Sequence, residues 1–492
     1  MESFKTCGSS RSGRIEHTRL FIRFAFLFAP ILLTSCGGGG SSGGSGHSGG
    51  GGGGGGTPPS TTANQWTWMS GSDKQNAVGV YGVLGTASAA NVPGARGGSV
   101  SWVDSAGDLW LFGGFGFATD SALSAAGELN DLWMFSPSSK QWTWVSGSNN
   151  VNASPVFGKQ GVASASTTPG GLSSAAGWKD NEGNLWLFGG RDLWQFSLAT
   201  KMWTWMGQVS GVYGTQGAGS IANGPKARAN AASWTDASDN FWLFGGTNIS
   251  GYLNDLWAFN PSTRTWTWMA GNDTPNATGV YGKLGVPSSS NTPGARAYSV
   301  SWVDKSGNLW LYGGAGYDAS TKGRDLNDLW EFSLSTRQWA WVHGSSSGGM
   351  LPVYGMQGVA AVANTPGGRD SAVGWTDRSG NLWLFGGFDF DGPNDFLNDL
   401  WEFNPTTKQW AWRGGSNTGN ARGVYGSLGT PSSRNIPGAR GSKGVAIPGA
   451  IGSGVAVAWT DASGNFWLFG GNGFDSNGAS DGLLNDLWRY QP

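Results

Sequence analysis

The sequence predicts an all-β protein, a propeller of six four-stranded blades, and three observations carry that expectation. Four short signatures recur six times in fixed order after residue 64. Five tryptophans per copy account for all 30 in the chain. At the two ends, the first copy is preceded by a lone fourth strand and the last copy lacks one.

Composition excludes several alternatives. The chain has 492 residues, 87 of them Gly, and only 12% are charged. The Gly excess falls in one N-terminal run and at regularly placed pairs rather than at every third position, which excludes collagen. An aromatic content of 13% supplies too much buriable surface for a disordered chain. A formal net charge of −1 leaves no basic face for nucleic acid, so no nucleic-acid partner is expected.

Residues 1–35 read as an export signal, with Lys5, Arg11, Arg14, Arg19 and Arg23 before the apolar run 24–33. The run is too short to span a bilayer. Leu33-Thr34-Ser35-Cys36 resembles the lipobox of bacterial lipoproteins. That resemblance implies acylation of Cys36 as the mature N-terminus and, with Gly following it, an outer-membrane location, either periplasmic or surface-exposed. Membrane contact is then expected through the anchor only. Residues 36–63 form a tether, with 15 Gly among positions 37–56, a flexible composition. The propeller is assigned to residues 64–492, with 64–69 supplying the fourth strand of the last blade.

Each blade reads as a meander of four short strands, because alternating aromatic and β-branched residues are bounded by Gly, Asn, Asp and Pro. The first strand ends in Trp-x-Asp, at Trp102, Trp178, Trp234, Trp302, Trp375 and Trp459. The second closes on a glycine pair beginning at Gly113, Gly189, Gly245, Gly313, Gly386 and Gly470. The third carries Asn130-Asp131-Leu132-Trp133 and its equivalents, and the fourth Gln141-Trp142-Thr143-Trp144 and its equivalents. Tryptophan confined to repeat positions reads as core. Pairing Gln65-Trp66-Thr67-Trp68 with the last strand around Trp488 completes the sixth blade and removes an open edge.

These signatures resemble kelch repeats, with paired glycines after an apolar strand, Asn-Asp-Leu-Trp in place of the usual Asn-Asp-Val-Tyr, and a Trp nine residues on, as from Trp133 to Trp142. The resemblance covers essentially residues 64–492 and implies the four-stranded blades of the galactose oxidase/kelch superfamily. The period departs from it, since successive glycine pairs lie 56 to 84 residues apart. The excess falls in the second-to-third and fourth-to-first connections, which leave a meander at the same end. That long-loop face is the expected binding surface.

Candidate binding residues follow from this geometry. Arg96, Arg228, Arg296, Arg369 and Arg440 stand at the heads of first strands, where blade 2 has Leu172. They are candidates for a positive ring at the channel mouth. In some kelch propellers arginines near this position bind acidic peptides, as bidentate guanidinium geometry suits. The alternative is that each bonds backbone carbonyls of the next blade. The second-to-third loops present Phe117, Tyr252, Tyr317, Phe388, Phe390 and Phe474, while blade 2 has almost no loop and opens the rim. Asp389, Asp391 and Asp395, and likewise Asp475, Asn477 and Asp481, surround Gly turns in a pattern that suits calcium and equally suits ordinary turns. Each fourth-to-first connection carries Gly-Val-Tyr-Gly or a variant, around Tyr81, Phe157, Tyr213, Tyr281, Tyr354 and Tyr425, and reads as an ordered loop packed on its neighbours.

Catalytic groups are scarce. His47 lies in the tether, and His343 reads as a solvated residue just after a fourth strand. A histidine-ligated metal or the galactose oxidase cofactor cannot be assembled from these residues. No catalytic residue is assigned, and no cofactor other than calcium is expected. The expected function is a membrane-anchored monomer that binds a protein or a glycan. The alternative is a sugar mutarotase or epimerase similar to the neuraminate epimerases, with an Arg holding the substrate carboxylate.

Overall fold

The computed structural model describes residues 63–119, 125–320, 323–392, 396–442, 454–480 and 482–492. The signal segment, Cys36, nearly all of the tether, Asp395 and Asp481 lie outside the described residues, as does 443–453 of the blade 6 insertion. Among the described residues there is no helix. Six antiparallel meanders follow one another. Blade 1 is Val100–Val103, Leu109–Gly116, Gly127–Ser136 and Gln141–Ser146. Blade 2 runs from Ala176–Lys179 to Met202–Gln208, blade 3 from Ala232–Thr235 to Thr265–Ala270, and blade 4 from Val300–Val303 to Gln338–His343. Blade 5 runs from Val373–Thr376 to Gln409–Gly414.

Blade 6 is closed as the end signatures require. Its first three strands are Val457–Thr460, Phe466–Gly473 and Gly482–Gln491, and Gln65–Ser70 pairs antiparallel with the last of these, Trp66 opposite Tyr490 and Trp68 opposite Trp488. The first strands neighbour one another around the ring, blade 6 meeting blade 1. Trp459 Nε1 donates to the Trp110 carbonyl across that seam at 3.0 Å.

The core lies between blades rather than within them. Six apolar clusters occupy the six interfaces, each combining the first three strands of one blade with the last three of the next. Of the 30 tryptophans 24 are buried, and the other six, the last on each fourth strand, are half-buried. A buried indole removes about 150–250 Å² from water, a gross gain of about 4–6 kcal/mol at about 25 cal/mol per Å². That burial offsets the backbone entropy that a Gly-rich chain loses on folding. In all six blades the second-strand indole N–H is fixed by the turn aspartate before it, as Trp110 by Asp104 at 2.9 Å.

The glycine pairs have a definite cause. Gly313 sits at φ +61°, and a Cβ there would stand 2.8 Å from the carbonyl oxygens of Arg369 and Leu326. Gly314 N donates to that same Arg369 carbonyl at 2.9 Å, which joins blade 4 to blade 5. Only Gly allows both the left-handed φ and this backbone approach.

Within the described residues the fourth-to-first connections form clasps, as expected. Each runs along the outer strand of the blade it enters, Ser288 opposite Trp339 and Ser432 opposite Trp66. Its tyrosine, or Phe157 in blade 2, covers the half-buried Trp of that strand, as Tyr281 does Trp341 at 5.1 Å.

Candidate functional site

The five arginines are not at an open channel mouth. Arg96 donates four hydrogen bonds within its own blade: Nε to the Gly94 carbonyl, Nη1 to the Gly113 carbonyl and to Asp131 at 2.6 Å, and Nη2 to Asp131 at 2.8 Å. The same arrangement joins Arg228 to Asp255, Arg296 to Asp328, Arg369 to Asp399 and Arg440 to Asp486, with each guanidinium at most 2% exposed. Burial works against the Arg96 charge, and the Asp131 carboxylate more than offsets it, so Arg96 stays protonated above its ordinary range. The expectation of a ligand-binding ring is therefore corrected: the Asp of Asn-Asp-Leu-Trp takes the bidentate face that a ligand would need. The backbone-bonding alternative is corrected in one particular, since the carbonyls belong to the same blade. An epimerase-like site would lack these five arginines for a substrate carboxylate.

The aspartate gathers two more donors. Tyr81 Oη donates to Asp131 at 2.6 Å and Trp133 Nε1 at 2.7 Å. This cage of Tyr, Arg, Asp and Trp recurs with Tyr213, Tyr281, Tyr354 and Tyr425. Blade 2 loses both outer donors together, with Phe157 for the tyrosine and Leu172 for the arginine, and its Asp192 instead accepts from Trp205 Nε1.

Blade 2 also has only Gly190 and Arg191 between its second and third strands, and the rim opens there as its sequence indicates. A cleft of about 550 Å³ fills the gap, lined by Leu172, Ser173, Arg228, Ala229, Ile249 and Glu128 of blade 1. Glu128 accepts a hydrogen bond from Ser173 Oγ, but its Oε2 has no partner among the described residues. Burial pushes the Glu128 carboxyl up to about 7, against the pull of Ser173.

Thr247 lines this cleft and also a second cavity of about 400 Å³ between blades 3, 4 and 5. There Asp325 heads the third strand of blade 4 and Asp370 follows Arg369 of blade 5. Asp325 Oδ2 accepts the Phe390 N–H at 2.6 Å. Burial, opposed by that bond and helped by Asp391 and Asp389, lifts Asp325 to about 7. Asp370 is raised well above the carboxylate range, first by burial and then by the field of Asp325. Tyr252, Tyr298, Phe388 and Phe390 complete the aromatic wall.

The repeat serves as an internal control for these acids. At the position of Asp370 the other blades carry Gly97, Ser173, Ala229, Ala297 and Gly441. At the position of Tyr298 they carry Gly98, Ser174, Asn230, Ser371 and Ser442. Asp325 and Glu128 occupy one repeat position, where blades 3, 5 and 6 have Tyr252, Phe396 and Leu483. Sequence reasoning missed Glu128, Asp325, Asp370 and Tyr298; the available signal was an acid where the repeat partners are large and apolar for Glu128 and Asp325, and a larger residue where they are small or short and polar for Asp370 and Tyr298.

The rim aromatics divide. Phe117, Tyr317 and Phe474 take equivalent places, each N–H on the carbonyl of Ala95, Ala295 or Ala439. Tyr317 meets Tyr252 edge to face at 6.3 Å. Phe388 is buried, and with Phe396, Ala439 and half-buried Phe474 it forms an apolar seam between blades 5 and 6. Phe390 is 75% exposed. The residues singled out for calcium are engaged as turn formers where they are described: Asp389 accepts Gly392 N, and Asp475 accepts Asn477 N and Ala479 N. Asp391 pairs with Arg324, and the Asn477 amide oxygen accepts Lys74 Nζ at 2.8 Å. Among the described residues no group of three or more His, Cys, Asp or Glu side chains is placed to hold a metal ion. His343 ends its strand half-buried beside Phe403 rather than solvated, and burial lowers its pKa.

Residues 379–411 match the family model of the Kelch motif. Over 215 residues the chain is 24% identical to the leucine-zipper-like transcriptional regulator 1 homolog of Drosophila melanogaster, a stretch that covers 43% of this chain and 17% of that protein. The chain thus spans about a sixth of the length of this curated relative. The Kelch match holds the glycine pair at Gly386, the caged Asp399 and both Trp401 and Trp410, and these elements recur around the ring. The chain is a six-bladed β-propeller built of kelch repeats.

Proposed function

We propose that this propeller is a binding module, held at a bacterial membrane surface by an acylated Cys36, that engages a protein or glycan partner through its long-loop face. A kelch propeller fits an interaction role, and the observation that carries the reading is where the repeat is broken. The missing loop of blade 2, Glu128, Asp325, Asp370 and Tyr298 all fall at one end of the blades, around two cavities that share Thr247. Exposed apolar side chains keep to the long connections as well. Of the 20 large ones among the described residues, 18 lie in fourth-to-first connections, and Ile249 and Phe390 in second-to-third loops. Apolar surface left open beside polar rims marks interaction sites.

A photo-reactive residue at Ile249 or Phe390 is expected to cross-link a saturable partner that unlabelled protein competes away, while the same residue at Thr263 or Ser335, in the opposite turns, does not. Equal labelling from both ends would overturn the reading. Anchoring is tested separately: labelled fatty acid is incorporated by the wild-type chain and lost in Cys36→Ala.

A further inference from the structure

We infer that the cavity between blades 3, 4 and 5 receives a basic side chain, the guanidinium or ammonium of a protein partner, against Asp325 and Asp370. The inference rests on the binding-module reading and names the chemistry of its partner.

Three observations converge. First, Asp370 is 6% exposed, lines the cavity, and its Oδ1 has no hydrogen-bond partner among the described residues. A buried carboxylate oxygen left unpaired costs free energy that an entering donor recovers. Second, the charge is one-sided. Asp325, Asp370, Asp389 and Asp391 interact there, and the one basic residue lining the cavity, Arg324, is held by Asp391. A cation favours the ionised carboxylates that burial and mutual repulsion disfavour, so it pairs with Asp325 and Asp370 as they give up their protons, whereas a neutral hydroxyl offers a hydrogen bond and no countercharge. Third, the walls are aromatic. Tyr252, Tyr298, Phe388 and Phe390 line it, aromatic rings of the kind that attract a cation, and Phe390 is exposed to solvent.

Tyr298 and Asp370 stand where the other blades carry Gly, Ala, Ser or Asn, so neither is needed to build a blade. The resemblance to acid-binding kelch propellers pointed to basic groups on this surface; the structure closes those arginines inside the blades and opens an acidic cavity beside them.

The test titrates the purified full chain, by NMR, with Ac-Gly-Arg-Gly-NH2, with its neutral citrulline counterpart and with methyl glucoside. The arginine peptide is expected to saturate and to bind at least tenfold more tightly than either neutral probe. Asp370→Ala installs the residue found at Ala229 and Ala297, so the fold is kept; it is expected to weaken the arginine peptide at least tenfold with no fall in Tm. No saturable arginine binding, equal binding of a neutral probe, or indifference to Asp370→Ala would overturn the inference. Specific cross-linking at Ile249 or Phe390 alongside such a failure leaves the module reading standing, and arginine binding without cross-linking does the reverse.

Discussion

Blade 4 and blade 2 are copies of one meander that differ in how their third strands are held. In blade 4, Arg296, Tyr281 and Trp330 converge on Asp328, and the second and third strands continue beyond it as a paired arm that ends at Tyr317 and Gly323. In blade 2, Leu172 and Phe157 replace the charged and hydroxyl donors, and the strands turn at once through Gly190 and Arg191. The cage therefore accompanies the loop. Phe157 still stacks on Trp194 at 5.4 Å and Leu172 packs between blades 1 and 2, so apolar packing alone suffices where no loop rises.

The sharpest way to break this comparison is to give blade 4 the residue of blade 2. Arg296→Leu leaves Asp328 buried and without its ionic partner, and breaking a buried pair costs about 3–5 kcal/mol. Urea denaturation should show that loss. A cost under about 1 kcal/mol would mean that Asp328 is neutralised or hydrated and that the cage does not hold the blade.

Next in size is the contrast between the acidic interface and the rest of the ring. Asp325 holds its proton up to about 7 in the folded state. An unfolded Asp titrates near about 3.9. Between these values the folded protein binds the extra proton, so its stability falls as pH rises from about 4 through 7. At about 1.4 kcal/mol per unit the ceiling is about 4 kcal/mol. Asp325→Asn should make this decline shallower, with Glu128 keeping its own share of it, and should unfold at a higher temperature than wild type at pH 8. An unchanged pH slope would remove Asp325 from the account.

The fold was legible in the sequence because every blade needs the same residues for the same physical reasons: an indole at each interface, a glycine pair where backbones touch, an Asp to fix the turn. The closure of blade 6 was legible too, since an orphan strand and a missing strand have one economical solution. The site was not, because the arginines and aspartates of the cage lie 27 to 46 residues apart and the sequence does not show that they meet. Once Arg96 is known to face Asp131, its recurrence reads as structure. The useful signal was the opposite one, residues such as Asp370 and Tyr298 that the repeat does not require.

A smaller effect sharpens the account of the glycine pairs. Gly313 and Gly190 have nearly the same φ, +61° and +60°, but a Cβ on Gly313 would meet two carbonyl oxygens while one on Gly190 would meet nothing within 4 Å. Gly190→Ala should cost only the left-handed strain of about 1–2 kcal/mol. Gly313→Ala should cost more, because the link from blade 4 to blade 5 must shift. Equal losses in the two variants would assign the pair to backbone conformation alone.

The smallest expected change is Tyr281→Phe, which makes blade 4 resemble blade 2 at its clasp. The hydroxyl donates to Asp328 at 2.6 Å, and a hydrogen bond to a charged group contributes about 1.5–3 kcal/mol. Asp328 keeps its two bonds to Arg296 and one from Trp330, so the loss should fall at the low end of that range. In the Arg296→Leu background the same hydroxyl becomes one of two remaining donors to a buried carboxylate. Its removal there should cost more than in wild type, by at least about 0.5 kcal/mol in a double-mutant cycle. Strict additivity would show that tyrosine and arginine act on the blade separately, and the joint absence of both from blade 2 would then need a different cause.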